Sequence, residues 1–171
     1  MTPRSTLLAT GLAVALLAGC AGAPSARAPD DPDVARMLAA VQAAGAREQS
    51  AIEVTPLVDP GVTLLRQQAR SAVITGDYDG AAAKLAQALK QHPDSPEIIQ
   101  QQAELALQRG DWLVAEQRAY RSWQLGPRLG PLCAKNWQTI LEMRRLKEDA
   151  AGVATARKWI ATCHVEGVHR Y

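Results

Sequence analysis

Three cysteines carry the most explicit chemistry in this 171-residue chain: Cys20, Cys133 and Cys163. A thiolate is a nucleophile, so such a residue can be acylated, oxidised to a disulfide or bound to a metal. Cys20 closes the run Leu17-Ala18-Gly19-Cys20, behind an apolar stretch from Leu7 to Leu17 and one early cation, Arg4. No Cys-x-x-Cys pair and no His-Glu-x-x-His run occurs, which removes the usual redox and zinc motifs. His92 precedes Pro93 in a turn, and turn polarity explains it. His164, Glu166 and His169 can be drawn around a metal, but they share a short polar tail that accounts for them without one. Arg144, Arg145 and Lys147 form a small basic cluster, read as solvated loop charge, with contact to an acidic partner as the alternative. No Gly-x-Ser-x-Gly elbow and no glycine-rich phosphate loop is present. No catalytic set, metal or cofactor is therefore expected.

The first residues must place Cys20. A charged start, a short apolar middle and small residues before a cut are the three parts of a secretory signal. The apolar stretch falls short of the roughly 20 residues that cross a bilayer. The tetrapeptide Leu17-Ala18-Gly19-Cys20 resembles a bacterial lipobox. That resemblance implies a signal peptide over 1–19, diacylglycerol on the Cys20 thiol, cleavage before it and, usually, a third acyl chain on the new amino terminus. Each buried methylene contributes about 0.8 kcal/mol, so two or three chains make a durable anchor where one is marginal. Ala21, not Asp, follows the cysteine. By resemblance to enterobacterial lipoproteins this implies the outer membrane, with the domain facing the periplasm.

Cleavage would leave about 152 residues, enough for one modest domain and a tether. Loss of Arg4 takes the 19 basic residues to 18, against 17 acidic ones. That balance gives no electrostatic case for nucleic acid. Alanine dominates the 47% apolar fraction, Phe is absent and four Trp supply the aromatic bulk, which suits helices in close approach. In an oxidising compartment the remaining pair, Cys133 and Cys163, reads as a disulfide.

Residues 21 to about 32 are rich in Ala, Gly, Pro and Asp and cannot bury enough surface to fold. In 33–50, Val34, Met37, Leu38 and Val41 recur at helical steps, with Asp31 or Asp33 as the cap. This helix either packs on the domain or lies within the tether. Pro56 and Pro60 mark a break. The lipidated tether is thus 20–61, about 40 residues that reach at most roughly 130 Å when extended.

From Val62 the pattern is helical and self-similar. Gly76-Asp77-Tyr78 returns as Gly110-Asp111-Trp112, Ala69 as Ala103, Ala81 as Ala115 and Pro93 as Pro127, all at one offset of 34 residues. With Ala88-Leu89 between, this set resembles the tetratricopeptide repeat. Each part has a task in a helical hairpin. Gly76 and Gly110 take positive φ, Asp77 and Asp111 cap the second helix, the alanines sit where helices cross, and the prolines end each unit. The resemblance implies an all-α, short helical solenoid over 62–171, with repeats at 62–95 and 96–129. A third, degenerate hairpin spans 130–163, its helices at 132–146 and 148–162, with Arg144-Arg145 where the turn glycine stands in the other two. Gln68 and Gln102 also depart from the family pattern, which has a large aliphatic residue there. In an antiparallel hairpin the start of the first helix lies beside the end of the second, which places Cys133 next to Cys163. Trp112 and Trp123 read as core, and Trp137 and Trp159 as facing each other across the last hairpin.

Such repeats form a groove lined by their first helices, a surface for peptides or protein domains. Arg66 and Arg70 in the first repeat, with Gln100, Glu104 and Gln108 in the second, are the expected partner-binding positions. The layout of anchor, tether and short repeat domain resembles the LpoP-type activators of bifunctional penicillin-binding proteins. That resemblance implies a lipoprotein reaching from the outer membrane to stimulate a class A peptidoglycan synthase in the inner membrane. The alternative is a pilotin-type or assembly factor for a pilus, secretion or outer-membrane protein machine, and a cell-wall enzyme ranks last. Mass spectrometry of the mature protein is expected to show acyl chains at Cys20. Cys20→Ala is expected to release soluble protein or leave an uncleaved precursor, and unmodified, soluble wild-type protein would contradict the anchor.

Overall fold

The computed structural model describes residues 31–48 and 59–164. Cys20, the signal segment, tether residues 21–30 and 49–58, and the tail residues Glu166 and His169 lie outside them. The described residues form seven α-helices and no strand: α1 (Pro32–Arg47), α2 (Pro60–Ile74), α3 (Tyr78–Gln91), α4 (Pro96–Arg109), α5 (Trp112–Leu125), α6 (Gly130–Leu146) and α7 (Ala150–Thr162). Proline stands in the first turn of α1, α2, α4 and α6, where its missing N–H costs nothing and its φ already suits a helix. α2 pairs with α3, α4 with α5 and α6 with α7.

The three hairpins turn in the same way. Gly76 and Gly110 each have φ of 77°. The amides of Asp77 and Asp111 reach back to the carbonyls of Ala72 and Ala106 at 2.8 Å, which closes the helix end with a left-handed residue. In the third hairpin the left-handed residue is Glu148, φ 56°, and the amide of Asp149 reaches the carbonyl of Arg144 at 3.0 Å. The turn is therefore not at Arg144-Arg145. α6 has 17 residues where α2 has 15 and α4 has 14, so those arginines fall in its last turn. Asp77 and Asp149 cap the following helices by accepting the amides of Gly80 and Gly152, both at 2.8 Å. A Cβ on Gly152 would come within 2.2 Å of the Asp149 carboxylate, so this capping geometry requires glycine there. Asp111 occupies the cap position of α5 but makes no capping bond; its carboxylate lies 3.4 Å from Arg109 instead.

Small residues set the spacing. Ala69, Ala81, Ala88, Ala103, Ala115, Ala119, Ala134 and Ala156 are all buried at helix contacts. α6 lies at the centre, against α1, α4, α5 and α7. Eleven of its 17 residues are buried, including Asn136, Gln138, Thr139 and Glu142. Residues 32–47, which the sequence placed in the tether as a helix of open destination, are part of this packing. Val34, Met37, Val41 and Ala44 recur every three to four residues, and all four are buried against α4 and α6. Cys133, in the first turn of α6, and Cys163, just past α7, are joined in a disulfide with Cα atoms 5.6 Å apart. Cys133→Ala with Cys163→Ala is expected to lower stability by about 3–4 kcal/mol, from the loop-closure entropy returned to the unfolded chain. Urea unfolding without reductant measures it, and an unchanged midpoint would show that the bridge contributes nothing.

Candidate functional site

The first face open to question is the one formed by α2, α4 and α6, the first helices of the hairpins. α1 lies on it, antiparallel to α6. Gly45, late in α1, meets Lys135 early in α6, while Arg36, early in α1, reaches Glu142 late in α6 at 3.5 Å. Glu142 is fully buried and also accepts from Gln138 at 2.7 Å and Arg145 at 2.9 Å. This carboxylate ties α1 to α6.

α1 changes what the expected binding residues can do. Gln100 is 2% exposed and donates to the Thr139 hydroxyl at 3.0 Å. It is an internal contact between α4 and α6, and partner binding through it is corrected on that ground. The Glu104 side chain is 18% exposed, accepts from Gln42 of α1 at 3.0 Å and lies 3.6 Å from Lys135. It is committed to holding α1 and α6. Gln108 is half-buried at the end of α4. Arg66 is half-buried and donates through Nε to Gln101 at 2.8 Å. Burial lowers its guanidinium pKa, the Glu97 charge opposes that and Arg70 adds to it; arginine stays charged at neutral pH regardless. Of the five positions only Arg70 is exposed. The signal that identifies the occupant of this face is the stripe Val34, Met37, Val41, Ala44, which is as regular as those of the repeats.

The basic turn is not free charge either. Arg144 and Lys147 both pair with Glu116, Arg144 also with Asp149 at 3.0 Å, and Arg145 with Glu142. The Gly152 amide, then the Arg144 hydrogen bond, hold the Asp149 carboxyl below its ordinary pKa. His164 contacts Glu48 through Nδ1 at 2.9 Å, joining the end of α1 to the segment after α7.

On the other side of α6, α5 and α7 form the walls of a groove of about 630 Å³. Leu113, Gln117 and Tyr120 line it from α5, Trp137 and Ile140 form its floor, and Thr155 lines it from α7. Leu113 is 61% exposed and Tyr120 45%. At one end four aromatic rings meet. Trp137 and Trp159 stack with centroids 5.3 Å apart and planes 4° from parallel, and Trp123 sets its plane steeply against both at 5.1 and 5.3 Å. Tyr120 leans on Trp123, and the Arg128 guanidinium lies 3.8 Å from the Trp123 ring centre. Trp159, although stacked, is 40% exposed. The spacing of Leu113, Gln117 and Tyr120 is visible in the sequence, but only the separation of α5 from α7 turns it into a groove.

No described helix is long and apolar enough to cross a membrane. Residues 72–118 match the tetratricopeptide repeat family. Among solved structures the chain is similar to the globular C-terminal domain of P. aeruginosa LpoP, at 31% identity and a TM-score of 0.56, over 61% of this chain and 98% of that one. No curated protein matches it. The shared ion pair at the groove's edge yields a measurable expectation. Glu116→Gln leaves Arg144 and Lys147 without their common carboxylate and is expected to cost about 1.5–3 kcal/mol, the range for hydrogen bonds to charged groups. Thermal unfolding at low and high salt checks it, and a variant as stable as wild type would show that these cations are solvated.

Proposed function

Because the chain belongs to the LpoP-like tetratricopeptide-repeat proteins, we propose that it is a lipid-anchored periplasmic interaction module that activates a class A penicillin-binding protein in peptidoglycan synthesis. The observation that carries this reading is the match at 31% identity over 98% of the LpoP globular domain. A likeness that extends through the whole domain, and not through one repeat, supports a shared use of the surface. The anchor supports it from the sequence side. Cys20 precedes a tether that can project a domain well beyond the outer membrane, and an activator of an inner-membrane enzyme has to cover such a gap. The domain contributes binding and the synthase contributes the chemistry, so the protein itself is not an enzyme.

Purified protein in detergent is expected to raise the rate of glycan polymerisation by the class A synthase of the same cell, read as lipid-linked precursor consumed. Arg70→Glu tests the part of the α2 face that α1 leaves open. An exposed substitution of this kind shifts stability within about 0.5 kcal/mol, so any loss of stimulation reports on contact and not on folding. No stimulation by the wild-type protein, together with recovery of a secretin or barrel-assembly subunit from cross-linked envelopes, would replace this reading with an assembly role.

A further inference from the structure

We propose that the groove between α5 and α7 docks an amphipathic helix of the partner, apolar along one stripe and flanked by carboxylates. The proposal rests on the interaction-module reading and deepens it by naming the surface and the chemistry of what it receives.

Shape comes first. From Leu113 to Trp123 the wall runs ten residues of helix, about 15 Å, which is close to three turns of a partner helix. α6 shows what such a channel accepts. On its opposite face the channel beside α4 holds α1 through Val34, Met37, Val41 and Ala44, spaced every three to four residues. No described helix covers the α5–α7 side. There Leu113, Tyr120 and Trp159 present exposed apolar surface above a floor of Trp137 and Ile140. Large aromatic groups in a pocket are the usual anchors of protein recognition, and a helix reads such a groove through residues at helical spacing.

Charge narrows the choice of partner. Arg144 and Lys147 stand at one end of the groove, and Arg128 stands over Trp123 at the other. Lys158 is exposed on α7, one turn beyond Thr155. Against these four cations are two carboxylates, Glu116 and Asp149, both already paired at the same end. Arg128 and Lys158 have no ion-pair partner among the described residues. Carboxylates along the flank of an incoming helix meet unmatched positive charge at the aromatic end, from Arg128 and Lys158, whereas a basic helix would be repelled there. Beside the paired Glu116, Arg144 and Lys147, the hydrogen-bonding side chains of the lining are Gln117, Tyr120 and Thr155.

The test uses the full chain in living cells. A photo-cross-linking amino acid placed at Leu113 or at Gln117 is compared with one at Ala86, exposed on α3. The expected adduct maps by mass spectrometry to a helical segment of another protein with Asp or Glu beside its apolar stripe. An adduct to glycan, to lipid or to a second copy of this chain overturns the proposal, as does capture no greater than at Ala86. The identity of the captured protein answers the other question separately. A class A synthase keeps both readings, and a different protein captured through an acidic helix keeps the groove and removes the synthase. Charge is checked by substitution. Leu113→Glu with Tyr120→Glu is expected to reduce capture at Gln117 by at least about tenfold, with circular dichroism and melting temperature unchanged. Leu113→Lys with Tyr120→Lys, which removes the same apolar contact but keeps the cationic field, is expected to reduce it less. Equal loss in the two pairs would refute the acidic flanks.

Discussion

Burial of α6 on four sides is the constraint from which the rest of the architecture follows. A helix in the middle of a small domain has to show apolar or satisfied polar groups in every direction. α6 does so for the most part, with Cys133 and Ala156-facing residues toward α7, Ile140 and Trp137 toward the aromatic cluster, Met143 toward α1, and Thr139 toward Gln100 of α4, while the buried Asn136 amide has no hydrogen-bond partner among the described residues. The seat of each neighbour is set by what that side of α6 requires. A solenoid whose last hairpin were a cap would have left one side of it in water. Here α1 returns to cover that side, so the third hairpin is the middle of the domain and not its end.

Polar groups inside this packing give it register. An apolar stripe alone allows α1 to slide by a turn along α6, because Val34, Met37, Val41 and Ala44 repeat. Arg36 meeting Glu142, Gln42 meeting Glu104, and Gly45 opposite Lys135 can all hold in one alignment only. Gln100 and Glu104 belong to this set. Their burial withdraws the α4 and α6 part of the first-helix face from a partner, while α2 stays open with Leu64, Arg70 and Ile74 exposed. The same hairpins that in longer arrays line an open groove are here closed by a helix from their own chain.

Much of this was legible in the residues. The 34-residue recurrence of Gly-Asp-aromatic, Ala and Pro determines two hairpins, because each of those residue types does something in a helical turn that few others can. The same reasoning places Cys133 beside Cys163. At the third turn a strict 34-residue offset puts Arg144 where the glycine would stand, while α6 runs on to Leu146, the end read from the sequence, and Glu148 takes the left-handed position in place of a glycine. Arg144 and Arg145, read as turn charge, lie in the helix and are held by Glu116, Asp149 and Glu142.

What the sequence by itself determined is every local choice: where helices start and stop, which stripes are apolar, and which positions are small enough for close crossing. These depend on residues within a turn or two of each other. What only the tertiary structure decided is which faces stay open. Gln100 and Leu113 have opposite fates, a buried amide and an exposed leucine, although polarity alone predicts the reverse. The difference is made by α6, almost 40 residues later in the chain, which covers Gln100 through Thr139, and by the separation of α5 from α7. Exposure is a property of how helices are stacked, and no periodicity along one helix contains it.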